Sequence, residues 1–160
     1  MVKEAIILAG GLGKRLRPLT LEKPKPMVEI NGRPMIDYHI QWLEKNRIKK
    51  IIIACGYKWE KIKEYYGDDL IYSVESEPLG TGGAVKKALK YVENETFIVV
   101  NGDDINDVPI DKLREIGPNT ICVAKFKSPF GIVEIDEKNN VLGFKQNRYF
   151  HIGLTWGCIY

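Results

Sequence analysis

The sequence has no long hydrophobic run. Its apolar stretches Ala5–Ala9, Ile51–Ala54 and Phe97–Val100 all sit between polar segments and fall far short of the roughly 20 residues a membrane helix needs. No membrane partner is expected. The N-terminus Met1-Val2-Lys3-Glu4 enters an apolar run at once, without the basic region, apolar core and small-residue cleavage site of a secretory signal, so the expected location is the cytoplasm. Cysteine is scarce: Cys55, Cys122 and Cys158 are odd in number and widely spaced, with no CxxC pair. Zinc and dithiol chemistry both need closer spacing, which leaves these residues as small buried hydrophobes. Histidine is limited to His39 and His151, and neither has a triad-like neighbour, so both read as structural. Charge of one sign is lacking as well. Lys and Arg number 24 against 21 Asp and Glu, for a net charge of +3. The broad cationic face with stacking aromatics that nucleic-acid binding requires is missing, and no nucleic-acid partner is expected.

What is present is an alternation of short elements. At 160 residues with 44% hydrophobic content, the chain has room for one globular core, so a single domain over residues 1–160 is expected. Lys3–Ala9 reads as a buried strand that runs into Gly10-Gly11-Leu12-Gly13. Pro18, Pro24 and Pro26 keep residues 17–27 out of regular helix, because each removes a donor and biases its predecessor toward extended backbone. A held loop is expected there. The spacing of Ile36, Ile40 and Leu43 predicts a helix over 34–46, Ile51–Cys55 a second strand, Trp59–Tyr66 a short helix and Leu70–Val74 a third strand. Gly80-Thr81-Gly82-Gly83 opens a further helix to about Tyr91, and Thr96–Val100 is a fourth strand that ends in Asn101-Gly102-Asp103-Asp104. Trp42, Trp59 and Trp156 read as core or interface aromatics. This rhythm predicts an α/β fold: a Rossmann-like, doubly wound, mostly parallel sheet covered on both faces. After residue 118 come only β-rich runs, at Thr120–Phe126, Gly131–Ile135, Val141–Phe144 and Gly153–Tyr160, expected as hairpins added to the sheet in the C-terminal quarter.

Three constellations carry chemistry. The first is the glycine turn after the first strand, followed by Lys14, Arg15, Arg17, Lys23 and Lys25 with only Glu22 opposing them. Consecutive backbone N–H groups with nearby cations can cradle phosphates. A P-loop would need Ser or Thr where Arg15 stands and glycine where Leu8 stands, and a dinucleotide fingerprint would need a third glycine at Arg15. A solvated surface turn is the alternative. The second is Asn101-Gly102-Asp103 at the carboxyl end of a strand, the edge where open α/β sheets bind ligands. One carboxylate is enough for magnesium, which completes its shell with phosphates and water. Asp104 and Asp107 either share that work or are solvated. The third runs from Glu75 through Pro78-Leu79-Gly80-Thr81-Gly82-Gly83, where glycines let a flat base lie against backbone; the alternative is a helix start capped by Thr81.

Taken in order, Leu8-Ala9-Gly10-Gly11-Leu12-Gly13-Lys14-Arg15-Leu16-Arg17-Pro18-Leu19-Thr20, continuing to Lys23-Pro24-Lys25-Pro26-Met27, resembles the signature of the sugar-1-phosphate nucleotidyltransferases. Glu77–Ala84 and Asn101-Gly102-Asp103 fall where that family keeps its base-binding loop and metal aspartate. The resemblance spans roughly residues 3–144 and is nearest to the mannose-1-phosphate and heptose-phosphate guanylyltransferase branch. It implies that Leu8, Ala9, Gly10, Gly11 and Gly13 line the nucleotide and that Gly80 and Thr81 help hold it. It further implies that Arg15 and Lys25 contact phosphates and that Asp103 ligates Mg2+. The implied partners are an NTP and a sugar 1-phosphate, joined to give an NDP-sugar and pyrophosphate. Glu75 is placed near the base, where a carboxylate can accept from N1–H and the 2-amino group of guanine and so favour GTP; a solvated strand-end residue is the alternative. Proteins of this kind often associate with copies of themselves.

The pattern is broken in two places. The family's Glu-Lys-Pro after the strand resembling Val141–Phe144 is replaced by Lys145-Gln146-Asn147-Arg148. Gly157-Cys158-Ile159-Tyr160 resembles an internal strand after which relatives continue to a second metal aspartate, so the C-terminal part of the usual domain is expected to be missing. These departures keep a second reading open: a truncated or regulatory nucleotide- or sugar-binding domain without turnover.

Overall fold

The computed structural model describes residues 2–127, 130–146 and 149–157, with side chains described for 2–123 and 130–146. Its centre is a parallel sheet of four strands, β1 (Glu4–Ala9), β4 (Lys50–Cys55), β5 (Ile71–Val74) and β6 (Ile98–Asn101), in the order β5-β4-β1-β6. The register runs Ile6 against Ile52 and Val99, and Leu8 against Ala54 and Asn101. Near-continuous Ile and Val form these strands because both faces are covered, which removes the polar alternation of a half-exposed sheet. On one face Ile6, Ile52, Ala54 and Val99 pack with Ala84, Val85 and Ala88 of helix α3 (Gly80–Ala88) and with Phe97. Alternate residues point to the other face, where Ile7, Ile53 and Ile98 are fully buried too; α1 (Met35–Lys45) fully buries Ile36 and Leu43.

The remaining elements are short. Helix α2 (Glu60–Tyr66) joins β4 to β5 and buries Ile62, while α4 (Ile110–Ile116) buries Ile110 and Leu113. Helix α4 was not expected from the sequence. Nor was the hairpin of β2 (Glu29–Ile30) with β3 (Arg33–Pro34), although Asn31-Gly32 is the strongest short-range hairpin signal. Both turn residues have positive φ, 51° and 74°, as a type I′ turn requires. The loop expected over residues 17–27 is held as anticipated. Short 3-10 turns lie just before it at Lys14–Leu16 and at its end at Lys25–Met27, and the Tyr57 hydroxyl donates to the Thr20 carbonyl at 3.0 Å.

Two compact units are formed, one comprising the chain to Ile121 with Gly157, the other Cys122–Trp156. In the latter β8 (Ile132–Ile135) and β9 (Val141–Lys145) form an antiparallel hairpin, with Val133 opposite Phe144 and a bulge at Glu134/Ile135. Strand β7 (Ile121–Lys127) pairs with β10 (Tyr149–Gly157). The mostly parallel sheet and the β-rich C-terminal quarter are as expected, with one correction. Among the described residues these last strands pair with one another rather than adding to the parallel sheet.

One polar contact anchors the core from beneath. Glu4 is 1% exposed, and its carboxylate accepts from the backbone N–H groups of Glu93 at 3.1 Å and Asn94 at 2.7 Å while pairing with Lys50 at 3.1 Å. Burial alone would raise its pKa, but the hydrogen bonds from Asn94, Lys50 and Glu93 outweigh burial and hold it below the ordinary glutamate value. A carboxyl depressed in the folded state contributes stability above its unfolded pKa and loses it as the pH falls through the folded value. Glu4→Gln is therefore expected to lower unfolding stability near neutral pH by about 1–3 kcal/mol. In urea titrations the difference from wild type should shrink in acid; a pH-independent difference would remove the charge from this account.

Candidate active site

The order β5-β4-β1-β6 fixes where a ligand can bind. From β1 the chain builds outward through β4 to β5, then returns to lay β6 on the other side of β1. Connections that leave the carboxyl ends of neighbouring strands in opposite directions open a crevice between them, the usual binding place in open α/β sheets. A cleft of about 290 Å³ lies there. The end of β1 supplies Leu8, Ala9, Gly10 and Gly11, and the end of β6 supplies Asn101 and Asp103. Glu75 and Pro78 follow β5, Gly80, Thr81 and Ala84 come from the first turns of α3, and Lys25 and Pro26 come from the proline loop. All three sequence constellations therefore meet on one cavity, which brings together residues as distant in sequence as Lys25 and Asp103, 78 positions apart.

Close backbone approach explains two glycines. The Gly102 N–H donates to the Leu8 carbonyl at 2.8 Å, and a Cβ at Gly102 would stand 2.8 Å from that same oxygen, nearer than real Cβ atoms come. The crossing of the β1 and β6 ends is closed to any larger residue. Gly13 has φ of +60°, and a Cβ there would meet the Thr20 methyl at 2.8 Å. Thr20 is fully buried, and its hydroxyl donates to the Gly13 carbonyl at 2.9 Å. This clasp ties the glycine turn to the start of the proline loop.

The charged groups have defined partners. Lys25 Nζ lies 2.6 Å from Asp103 Oδ2, with the two side chains 26% and 41% exposed. Glu75 Oε2 accepts the Leu79 N–H at 3.1 Å, and its carboxyl lies against Gly10 so closely that a Cβ there would sit 3.3 Å from Oε1. Glu75 is thus a braced wall residue rather than a free strand end. Thr81 does not cap α3. Leu79 occupies the cap position without a side-chain cap bond, and Thr81 is the second helical residue, facing the cleft. The N–H groups of that first turn, which have no partner within the helix, add positive polarity to the cavity.

Two sequence-predicted residues stand apart from the walls. Gly13 shapes the turn without lining the cavity, and Arg15 sits exposed on the Lys14–Leu16 turn. Among the described residues no group of three His, Cys, Asp or Glu could form an all-protein metal cage. The donor set fits Mg2+ nonetheless, because Asp103 presents a hard oxygen to a cavity able to admit phosphates, and Mg2+ needs only one or two carboxylates beside them. Asn101, also on the wall, is a further neutral oxygen donor.

Other residues take structural roles. Cys55 is fully buried, and burial with the nearby Glu75 and Glu60 carboxylates pushes its thiol up to about 12, which makes it unreactive. Trp42 Nε1 donates to the Val108 carbonyl at 3.0 Å, and Trp59 packs against Tyr72. His39 is 1% exposed within α1, and burial lowers its pKa against the pull of Asp104 and Asp103. Sequence reasoning gave no individual role to Thr20, Pro26, Pro78 or Ala84 as site builders, although all four lie within the motifs that carry the family resemblance. Lys145 pairs with Glu134. Asn147, Arg148 and the Cys158–Tyr160 end lie outside the described residues, as do the side chains of His151 and Trp156.

Residues 4–146 match the nucleotidyl transferase family model. The chain belongs to that family. It is 42% identical to the D-glycero-alpha-D-manno-heptose 1-phosphate guanylyltransferase of Campylobacter jejuni over 98% of this chain and 74% of that protein. It is 39% identical to mannose-1-phosphate guanyltransferase 2 of Candida glabrata over 83% of this chain and 41% of that one. Among solved structures, HddC from Yersinia pseudotuberculosis complexed with GMP-PN superimposes with a TM-score of 0.71 at 32% identity, over 92% of this chain and 71% of that one. The fold and the nucleotidyltransferase class read from the sequence stand. Among the described residues no helix is long and apolar enough to cross a membrane.

The Gly13–Thr20 clasp yields a test of the turn. Gly13→Ala places a side chain at positive φ and against the Thr20 methyl, for an expected loss of about 1–3 kcal/mol of stability. Thr20→Ala, which removes only the hydrogen bond and a methyl, should cost about 1–2 kcal/mol. Thermal unfolding of both variants measures this, and a Gly13→Ala protein as stable as wild type would show that the clasp is dispensable.

Proposed function

We propose that this chain transfers a nucleoside monophosphate from an NTP, with GTP favoured, to a sugar 1-phosphate, releasing pyrophosphate, with Mg2+ at Asp103. The observation that carries the reading is the convergence of Lys25, Asp103 and Glu75 on one cleft at the strand-order switch. Support comes from relatives named as heptose- and mannose-1-phosphate guanylyltransferases and from a structural neighbour complexed with GMP-PN. An oxygen of the sugar phosphate attacks the α-phosphorus in line. A new P–O bond forms as the bond to the bridging oxygen of pyrophosphate breaks. The attacking oxygen is already anionic, so no general base is needed, and the work left to the protein is positioning and compensation of charge. Lys25 offers an ammonium to the phosphates from within the cleft, Arg15 offers a guanidinium from the turn beside it, and bound Mg2+ would neutralise developing charge on the phosphate oxygens. Glu75, braced by the Leu79 N–H, has one oxygen left to accept from the guanine edge. The cytoplasm, where NTPs are available, is the proposed location of the reaction.

A second reading, nucleotide binding without turnover, draws on Gln146 and Asn147, neutral amides where the resembled family has an acid and a lysine, and on the engagement of Lys145 by Glu134. The two separate by pyrophosphate release with the four common NTPs against a panel of sugar 1-phosphates. Release from a GTP pairing is expected, with Asp103→Ala reducing it by at least about 100-fold, the scale of losing a charge-stabilising contact. Nucleotide binding without any release supports the binding-domain reading instead. Glu75→Gln should narrow the preference for GTP over UTP by about tenfold, since one charged acceptor is worth roughly 1–2 kcal/mol; an unaltered preference removes Glu75 from base selection.

A further inference from the structure

We propose that the Lys25–Asp103 ion pair is a latch that keeps the cleft from holding a divalent cation until the phosphates of a nucleotide draw Lys25 away. The inference rests on the transferase reading for the identity of those ligands, but its geometry stands independently. Lys25 Nζ occupies Asp103 Oδ2 at 2.6 Å, and both side chains line the same cavity. The ammonium already supplies the positive charge that Asp103 requires. A doubly charged ion entering beside it would meet repulsion at close range in a partly desolvated site. No acidic cage offsets this, because among the described residues no group of three His, Cys, Asp or Glu gathers to hold a metal.

The backbones on either side are fixed, so the latch opens by side-chain motion alone. The turn carrying Lys25 is closed by the Met27 N–H on the Pro24 carbonyl at 2.9 Å and the Val28 N–H on the Lys25 carbonyl at 3.0 Å, with Pro26 and Met27 buried. On the other side the Gly102 N–H is held by the Leu8 carbonyl at 2.8 Å. The lysine's flexible four-carbon stem carries the ammonium between carboxylate and phosphate without movement of the loop. A nucleotide that accepts the ammonium exposes Asp103, so nucleotide and cation each raise the other's affinity by the same factor, as linkage requires. The cleft then binds the metal with the nucleotide rather than before it.

The test is Mn2+ binding, followed through the electron paramagnetic resonance of the free ion, in the nucleotide-free 160-residue chain. Lys25→Met removes the cation and should tighten Mn2+ binding by about tenfold or more, the scale of removing a nearby like charge. Lys25→Arg keeps the cation and should bind as weakly as wild type. The gain should vanish in the Lys25→Met, Asp103→Asn double variant, and a non-hydrolysable GTP analogue should tighten Mn2+ binding in wild type more than in Lys25→Met. No gain in Lys25→Met, an equal gain in Lys25→Arg, or a gain that survives loss of the Asp103 carboxylate each overturns the latch. Pyrophosphate release by wild type, measured alongside, addresses the transferase reading separately. Release without the gain sinks the latch and leaves the enzyme; the gain without release from any pairing sinks the enzyme and leaves the latch.

Discussion

The rest of the molecule depends on β1 being paired on both sides, with β4 on one edge and β6 on the other. A strand buried on both faces and bonded along both edges has no freedom of register, since a slip of one residue would exchange every side chain between the two packed layers. The loop that leaves it is therefore launched from a fixed point. Because β4 and β6 lie on opposite sides, the loops after β1 and β6 part where they leave the sheet, and a cavity opens between Ala9 and Asn101. Glu4 holds the other end of the same strand, gathering the N–H groups of Glu93 and Asn94 and the Lys50 ammonium. The cleft is thus a consequence of topology, and its precision derives from the strand beneath it.

Chemistry is then hung on that frame by small residues. Gly102 lets the ends of β1 and β6 cross at contact distance, and Gly13 turns the chain back so that Thr20 can clasp it. Tyr57 reaches from beyond β4 to hold the same loop through the Thr20 and Leu21 carbonyls. The prolines limit what the loop can do, while these hydrogen bonds select which conformation it takes. The outcome is that Lys25, far from Asp103 in sequence, rests on it directly.

The legibility of this protein in its sequence follows physical lines. Strands and helices with a continuous apolar pattern, such as Ile51–Cys55 and the Ile36, Ile40, Leu43 series, are readable because burial imposes a period. Helix α4 escaped although α2, equally seven residues long, was legible; its signals are Pro109 before it and Gly117 after it rather than an extended apolar period. The β2–β3 hairpin carried its signal in Asn31-Gly32 but has strands of two residues each, below the length at which alternation can be seen. Thr81 shows the limit of capping rules: a threonine among glycines looks like a helix cap, yet the chain enters the helix before it and Thr81 faces the cavity.

By itself the sequence determined the alternating α/β pattern, the family and the identities of the residues that converge, because glycine turns, buried strands and strand-end carboxylates are local properties of the chain. Only the tertiary structure decided that Lys25 and Asp103 form a pair, that Glu75 braces the Leu79 N–H beside Gly10, and that Arg15 stays outside the cavity wall. Those facts depend on which strands become neighbours and on how loops from distant segments pack over their ends. They arise from contacts between residues that the sequence separates and only the folded sheet brings together.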